Sequence, residues 1–488
     1  MYDVIVIGAG ICGTSVASFL SRYNIRTALI DKAADVCEGT SKANTAIVHS
    51  GHDAEPGSLK AKYNVLGNKM YEDLCAELDV PFRRNTTMIT AFSEEELEEL
   101  DRMEANAAAN NVDNMHRISR EEALRLEPNL GRSVTGALIA GNGGIVSPYD
   151  LVIALAENAV INGVELKLGT RITGLTRGAD DIWTLTDQNG NDYETKYVVN
   201  CAGLWADELN NMVSDDKYHI TPRKGEYLIV DKSHAGDFSA AICPVPSKMA
   251  TGHTKGIWVA PTVSGTILLG PTAEDVSDKE DLANTSDGFD RILEGTRRIW
   301  NDLPTWDIIS GYAGLRAHSD RNDFIIGEAS DAPGFINCGG IESPGITAGP
   351  AIGRDIASML AEKLDAAPNK DYIHGRAPHK KPFRYMNTEE RAAAIAEDPA
   401  YGRVVCRCET VTEAEIRDCI LRQAGARTLD AVKRRTRAGM GRCQAGFCTP
   451  GTIEIICKEL GISAGSVTKS GPGSELIVGS VFDESEAE

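Results

Sequence analysis

Four cysteines near the C-terminus have the spacing of a metal centre. One residue separates Cys406 from Cys408, and after a gap of 34 residues Cys443 and Cys448 form a second pair. Thiolates in two close pairs are typical ligands of a soft metal ion or an iron–sulfur cluster. The spacing alone leaves structural zinc and [2Fe–2S] open, and the clustering disfavours unliganded cysteines.

A glycine-rich motif near the N-terminus indicates nucleotide binding. Residues 8–13 read Gly-Ala-Gly-Ile-Cys-Gly, between an apolar strand and a predicted helix, and Asp31 ends the next predicted strand. Gly8 permits a tight turn, Gly10 lets a pyrophosphate approach the helix N-terminus, and Gly13 permits close helix–strand packing. Asp31 can accept hydrogen bonds from ribose hydroxyls. The motif does not distinguish FAD from NAD, and the alternative is a strand–helix turn without a ligand.

Three further segments, residues 40–51, 198–207 and 339–348, resemble the FAD-dependent amino- and hydroxy-acid oxidoreductases of the D-amino-acid-oxidase type. The resemblance covers about residues 1–365 and implies that the cofactor is FAD. It implies that the first segment passes beside the isoalloxazine ring and that the third begins a helix aimed at the flavin. A helix N-terminus there would stabilise the negative charge of reduced flavin. The implied cofactor-binding residues in these segments are Thr40, Ser41, Thr45, Ala202, Gly203, Gly340, Gly345, Ile346 and Thr347.

The C-terminal segment resembles bacterioferritin-associated-ferredoxin-like domains, in which a CxC motif and a downstream cysteine pair bind [2Fe–2S]. This resemblance implies that the metal ligands are Cys406, Cys408, Cys443 and Cys448. A cluster beside a flavin is chemically reasonable, because a flavin can split a hydride into single electrons. We therefore expect a [2Fe–2S] cluster rather than zinc.

Three residues are candidates for the substrate site. Arg316 ends the segment Gly311-Tyr312-Ala313-Gly314-Leu315-Arg316, which resembles the family segment whose arginine fixes an anionic substrate group. Its planar guanidinium can bind a carboxylate or phosphate through two hydrogen bonds. His49 and His253 match family positions near the flavin, where a histidine can take the hydroxyl proton. The alternatives are a surface ion pair for Arg316 and structural roles for the histidines; Lys255 is a weaker anion-binding candidate.

The combination of a flavin domain and a ferredoxin-like tail resembles the catalytic subunits of anaerobic glycerol-3-phosphate dehydrogenases. It implies oxidation of sn-glycerol 3-phosphate to dihydroxyacetone phosphate, with electrons passing through the cluster to a protein or quinone acceptor. The glycerol-phosphate enzymes usually carry arginine where this chain has Asp53, and residues 56–61 and 269–271 look more like L-2-hydroxyglutarate oxidoreductases. Oxidation of another 2-hydroxy acid or an amino acid, and an electron-relay subunit without its own substrate, therefore remain alternatives. An oxidase that uses O2 is disfavoured because the cluster offers an outlet to protein.

The predicted fold class is α/β, with a Rossmann-type FAD-binding domain, an inserted β-rich substrate domain and a small C-terminal helical iron–sulfur domain. Strands are expected at 2–8 and 26–31, helices at 11–23, 91–126 and 346–364, and further strands within 164–200 and 220–272. The predicted boundaries are 1–85, 145–210 and 325–366 for the FAD-binding domain, 86–144 and 211–324 for the substrate domain, 367–402 for a linker, 403–460 for the [2Fe–2S]-binding domain and 461–488 for a tail.

Charge and composition limit the partners. The 488-residue chain has a formal net charge of −21, which opposes binding to nucleic acid and anionic lipid. No run of 18 apolar residues and no charged leader occur, so we expect no transmembrane segment and a cytoplasmic location. We expect any peripheral contact with the membrane to be made through a partner. The expected partners are a small anionic substrate and a second flavoprotein or membrane-docked electron-transfer subunit.

Overall fold

The computed structural model describes residues 1–246 and 256–479. Its strands are β1 (Tyr2–Ile7), β2 (Thr27–Ile30), β3 (Ile47–Val48), β4 (Phe82–Arg84), β5 (Thr87–Ala91), β6 (Met115–Ser119), β7 (Gly136–Ala140), β8 (Gly144–Val146), β9 (Glu165–Lys167), β10 (Ile172–Arg177), β11 (Trp183–Asp187), β12 (Asp192–Asn200), β13 (Ile220–Val230), β14 (Ala241–Pro244), β15 (Trp258–Pro261), β16 (Ile267–Gly270), β17 (Glu274–Asp275), β18 (Ile308–Ser319), β19 (Ile325–Glu328), β20 (Phe335–Gly339), β21 (Val404–Cys406) and β22 (Val411–Thr412).

The α-helices in the same ranges are α1 (Ile11–Leu20), α2 (Leu59–Glu77), α3 (Glu94–Ala109), α4 (Arg120–Leu126), α5 (Pro148–Ile161), α6 (Ala206–Val213), α7 (Ser286–Ile299), α8 (Gly345–Lys363), α9 (Thr388–Glu397), α10 (Glu413–Leu421), α11 (Leu429–Thr436) and α12 (Thr449–Leu460).

The first sheet has β1 at its centre, parallel to β2 on one side and to β12 on the other. β9 extends the sheet beyond β2, β20 and β19 extend it beyond β12, and β10 and β11 form an antiparallel meander on β12. Helices α1, α5 and α8 cover one face and α6 covers the other. β1 is therefore buried on both faces, which explains its unbroken run of apolar residues. The Rossmann-type arrangement predicted from the sequence is confirmed.

The second sheet builds the substrate domain from nine strands in the order β17-β13-β16-β15-β14-β5-β7-β6, with β18 alongside β13. Helix α7 packs on β13 and β16, and α3 packs on β5 and β7. β13 and β18 pair antiparallel along almost their whole lengths, and this register sets Arg316 directly opposite Arg223. The long ladder therefore fixes the position of the predicted substrate anchor.

The C-terminal domain consists of the β21–β22 hairpin and helices α10 to α12 around a small apolar core of its own. Thr412 caps α10 through a capping box with Glu415, as the residue pattern predicts. Cys406 ends β21, and Cys448 directly precedes α12. The two cysteine pairs are thus held by a hairpin and by a helix start.

Two segments differ from the sequence prediction. Within 91–126, predicted as helices, residues 115–119 form β6, an edge strand whose short polar sequence gives little strand signal. Within the predicted linker 367–402, residues 388–397 form α9, and Phe383 and Tyr401 pack against Ala414 of α10. The linker therefore folds onto the C-terminal domain instead of crossing solvent as an extended chain.

Candidate functional site

Two glycines in the turn between β1 and α1 leave no room for a side chain. Gly8 has a φ of +105°, and a Cβ on it would lie 2.2 Å from the Cys201 carbonyl oxygen. A Cβ on Gly13 would lie 1.7 Å from the Gly8 carbonyl oxygen. Gly10 is the N-cap of α1. This close packing exposes the amide end of α1 at the edge of the sheet, where a pyrophosphate binds in Rossmann-type folds.

Asp31 lies at the end of β2, as the motif predicts. Its carboxylate accepts hydrogen bonds from the backbone N–H groups of Ala9, at 2.6 Å, and Ala33, at 2.8 Å. Burial raises the pKa of Asp31, although these two amides oppose the shift. The carboxylate thus ties the glycine turn to the second strand while it faces the cavity above them.

A cavity of about 360 Å³ lies over this turn and has the donors that an adenosine diphosphate moiety requires. Gly8, Gly10, Asp31, Ala202 and Gly203 contribute to its wall, beside the cations of Lys32 and Arg171. Ser41 also lines it, and its hydroxyl oxygen accepts a hydrogen bond from the Ile11 amide of α1 at 3.0 Å. The residues present fit the nucleotide half of FAD.

A second cavity, of about 130 Å³, continues from the first along Thr40, Ser41 and Ile341. Thr45, Gly345 and Ile346 contribute to its wall, and α8 begins at Gly345. The sequence resemblance predicts a helix N-terminus at the flavin; α8 begins at the wall of this cavity, and the flavin position there stays a prediction.

The predicted flavin segments contact one another directly. The His49 amide donates to the Thr347 hydroxyl at 2.9 Å, and the Thr40 hydroxyl donates to the Leu315 carbonyl at 2.6 Å. Gly340, with a φ of +64°, lies close to Ser319 and does not line either cavity. Segments separated by about 300 residues in the chain are therefore assembled around one site.

The third cavity, of about 660 Å³, adjoins the flavin end, and both His49 and Arg316 line it. The Arg316 guanidinium donates long hydrogen bonds to the Thr272 carbonyl at 3.3 Å and the Arg223 carbonyl at 3.5 Å. Within residues 1–246 and 256–479 it has no carboxylate partner, so the surface ion pair considered above is not found there. The other cations of the wall are paired: Lys60 with Glu342, Arg223 with Asp275, Arg291 with Glu274 and Asp287, and Arg321 with Asp216.

His49 is half-buried and its backbone is fixed on both sides. Its carbonyl oxygen accepts a hydrogen bond from the side-chain amide of Asn68 at 2.9 Å. Its ring makes an edge contact with the Trp258 ring at a centroid distance of 5.7 Å. His253, the second predicted histidine, lies outside the described residues, as does Lys255.

Sequence reasoning missed a half-buried charge network that lines the same cavity as Arg316. Glu342 pairs with Lys60 at 2.7 Å and with the His318 ring at 3.0 Å. Burial opposes ionisation of Glu342, but the charges and hydrogen bonds of Lys60 and His318 outweigh it and lower the pKa of the carboxyl. The available signal was the position of Glu342 inside the third family segment, directly after Gly340 and Ile341. The ionised Glu342 adds a fixed acceptor to the cavity wall.

The four predicted ligand cysteines lie together in two contacting pairs, Cys406 with Cys448 and Cys408 with Cys443. Burial opposes ionisation of Cys443, but Cys408 and the amides of residues 445–447 outweigh it and lower the pKa of this thiol. Burial and the neighbouring thiols raise the pKa of Cys448 to about 12.

No three ligand side chains surround a single point in the described ranges. Two pairs of thiols match a binuclear cluster, in which each iron takes two cysteines, better than a single tetrahedral ion. Backbone amides beside the sulfurs offset the negative charge of such a cluster. The donor set therefore fits [2Fe–2S].

The cysteine domain is joined to both other domains by ion pairs. Arg422 forms two parallel hydrogen bonds with Glu157 of α5, at 2.8 and 2.9 Å. Lys232 of the substrate domain forms an ion pair with Glu409 at 3.3 Å and also donates to the Cys408 carbonyl at 2.8 Å. As far as the structure describes the chain, every helix is too short or too polar to cross a lipid bilayer.

Comparison with known proteins agrees with these two sites. A family model described as "FAD dependent oxidoreductase" matches residues 3–359, and one described as "BFD-like [2Fe-2S] binding domain" matches residues 404–458. A glycerol 3-phosphate dehydrogenase of Caloramator mitchellensis is 44% identical over 99% of this chain and 100% of its own length. A glycerol 3-phosphate oxidase of Mycoplasma pneumoniae is 32% identical over 75% of this chain and 96% of its own length.

A solved structure of the FAD-bound L-alpha-glycerophosphate oxidase from Mycoplasma pneumoniae superposes with a TM-score of 0.73. It is 30% identical in sequence, and the match covers 78% of this chain and 99% of that one. The fold, the nucleotide cavity and the paired thiols agree with these likenesses. The chain therefore belongs to the FAD-dependent oxidoreductases, and it carries FAD together with a C-terminal BFD-like [2Fe–2S] domain.

Proposed function

We propose that the chain oxidises sn-glycerol 3-phosphate to dihydroxyacetone phosphate. The proposal rests on one observation about Arg316. This half-buried cation lines the cavity next to the flavin end, and it has no carboxylate partner among the described residues. A phosphate can neutralise it through two parallel hydrogen bonds. The dehydrogenase from Caloramator mitchellensis, similar over nearly the whole chain, is named for this substrate.

Arg316 and His49 have complementary roles in this reaction. Arg316 holds the phosphate and so orients the substrate, because a planar guanidinium fixes direction as well as position. His49 takes the proton of the secondary hydroxyl as the carbon loses its hydride. Bound FAD supplies the acceptor for that hydride. The N-terminus of α8 stabilises negative charge at the flavin end.

We further propose that the electrons leave through the cluster to another protein, either a second flavoprotein or a membrane-docked electron-transfer subunit. The oxidase from Mycoplasma pneumoniae aligns over 96% of its length but only 75% of this chain, whereas the dehydrogenase aligns over 99% of it. Of these two relatives, only the dehydrogenase is similar over nearly the whole chain, including the cysteine domain. The cluster takes electrons singly, which suits transfer to a protein rather than to O2.

Anaerobic bleaching of the flavin absorbance tests the substrate assignment. The purified chain is mixed with sn-glycerol 3-phosphate, L-2-hydroxyglutarate, glycerol or an amino acid, and the absorbance is followed by stopped flow. We expect rapid bleaching by sn-glycerol 3-phosphate alone. Faster bleaching by L-2-hydroxyglutarate would replace the proposed substrate, and no bleaching by any of them would favour a relay subunit.

A further inference from the structure

Two aromatic side chains are almost fully exposed on the described surface. Trp306 is 97% exposed and Phe447 is 86% exposed, and of the other large hydrophobic residues described only Val478, near the end of the described chain, is comparable. Neither ring lines the nucleotide, flavin or substrate cavity. Aromatic residues are enriched at protein–protein interfaces, so both rings are candidates for contact with a partner.

Trp306 and Phe447 belong to different domains, but the segments that carry them come together near Cys443. Asp307, next to Trp306, pairs with Arg442 at 3.1 Å, and Arg442 directly precedes Cys443. The Phe447 amide points at the Cys443 sulfur. The two segments that carry the rings therefore meet next to Cys443.

The edge of the cysteine site beside Cys443 is where the cluster comes closest to solvent. Cys408 and Cys443 are only half-buried, whereas Cys406 and Cys448 are buried. An electron donor and its acceptor must approach closely, so an acceptor protein has to dock at the exposed pair.

Two exposed arginines lie at this edge, and one of them is unpaired among the described residues. Arg407, between two of the ligand cysteines, is exposed and has no carboxylate partner in the described part of the chain. The Arg442 side chain is 59% exposed although it contacts Asp231 and Asp307. With a net charge of −21 over the chain, local arginines here steer an acidic partner toward the cluster.

We propose that Trp306, Arg407, Arg442 and Phe447 form the docking surface for the electron acceptor, a protein whose redox group is bordered by acidic side chains. The inference rests on the proposed function, since it takes the cluster as the electron outlet. The rings exclude water at the centre of the contact and the arginines orient it. Small interfaces of this kind suit the transient complexes of electron transfer. A membrane surface is disfavoured because the proposal requires a redox group close to Cys408 and Cys443, and a lipid surface supplies none.

The test uses flavodoxin, an acidic FMN protein, as the acceptor probe. The full-length holoprotein is photoreduced without substrate, and electron transfer to flavodoxin is measured by stopped flow at low and high salt. The dissociation constant of the oxidised pair is measured separately by calorimetry. Phe447→Ala and Arg407→Glu are compared with Leu421→Ala, an exposed apolar residue of α10, and Lys69→Glu, an exposed cation of α2.

We expect Phe447→Ala and Arg407→Glu each to raise the dissociation constant about tenfold, and salt to weaken binding in the wild type more than in Arg407→Glu. Both controls should bind as the wild type does. Flavin bleaching by sn-glycerol 3-phosphate should be unchanged in all four variants, so a wrong substrate and a wrong docking surface give different results. No binding at low salt, or binding that the two variants leave intact, overturns the proposal. Binding to phosphatidylserine vesicles that Phe447→Ala abolishes would overturn it in favour of a membrane.

Discussion

Asp35 and Arg435, 400 residues apart in the chain, form a buried two-point ion pair. Both carboxylate oxygens of Asp35 accept from the terminal nitrogens of Arg435 at 2.8 Å. Arg434 adds a third contact to Asp35 at 2.6 Å and a fourth to Glu38 at 2.5 Å. Asp35 lies in the loop after β2. Lys32 and Glu38 of the same loop line the nucleotide cavity. The cysteine domain is therefore clamped to the loop that borders the cofactor site.

Asp35→Asn should release this clamp. It leaves Arg434 and Arg435 without their shared counter-charge, and loss of one partner of a buried ion pair costs about 3 kcal/mol. Undocking of the cysteine domain exposes the 367–402 segment to trypsin. If the cleavage rate follows the fraction of molecules that are undocked, this segment should be cleaved faster by about two orders of magnitude. The control Asp302→Asn, at an exposed carboxylate, should change cleavage little.

The same variant carries a pH test. Burial opposes ionisation of Asp35, but Arg435 and Arg434 outweigh it and lower the pKa of the carboxyl. A depressed pKa gives stability that is present above the ordinary carboxyl value of 3.8 and is lost as the pH falls through the lower folded value. Cleavage of wild type and variant by pepsin, which is active in acid, should converge only in that acid range. Equal rates of cleavage by trypsin at pH 7 would contradict the clamp.

The sequence patterns predict the local structure but not the contact between Asp35 and Arg435. The glycine turn, Asp31 and the capping box at Thr412 follow from short-range stereochemistry, which a single segment encodes. The contact between Asp35 and Arg435 depends on how two domains meet, and no periodicity encodes that. Helix α9 is a different case, because its capping box, Asn387 with Glu390, was readable in the sequence. His49 and Arg316 could be brought together from the sequence only through family resemblance.

His234 should make the contact between the substrate and cysteine domains sensitive to pH. Its ring contacts Asp237 at 2.8 Å and Asp307 at 3.0 Å, and Asp307 also holds Arg442 of the cysteine loop. Burial lowers the pKa of His234, but hydrogen bonds and charges of the two carboxylates outweigh it and raise the pKa. A raised pKa gives stability that is present below the ordinary value of 6.5 and is lost as the pH rises through the folded value.

His234→Gln should therefore destabilise the chain more at pH 6 than at pH 8, by less than about 1 kcal/mol because the site is partly solvated. Urea unfolding at the two pH values measures the difference. The matched variant His374→Gln, at a mostly exposed ring beside Glu77, should show a smaller dependence. A larger loss at pH 8 would reverse the assigned sign.

Cys443→Ser should remove the cluster and leave the flavin. The wild type should contain about two iron and two acid-labile sulfide per chain, as a [2Fe–2S] centre requires. The nucleotide and flavin cavities are lined by residues before position 347 in the described chain, so FAD content should not change. Cys457→Ser, on α12 of the same domain and outside the two thiol pairs, should keep its iron. Zinc in anaerobically purified wild type would contradict the cluster.

Replacement of Arg316 tests the substrate anchor. The net charge of −21 opposes binding of an anion, so a local cation has to supply the attraction, and in the described part of the cavity wall Arg316 is the cation that no carboxylate neutralises. Arg316→Lys keeps the charge but loses the planar pair of donors, so KM should rise and kcat should fall together. Arg316→Ala should lose about 2–4 kcal/mol in kcat/KM.

Arg291→Ala, which removes a paired arginine from the same wall, should stay within a few-fold of the wild type in kcat/KM. FAD and iron content should not change in any of the three variants, because Arg316 binds the substrate and neither cofactor. Near-normal kinetics of Arg316→Ala, or loss of FAD from it, would show that the anion is held elsewhere.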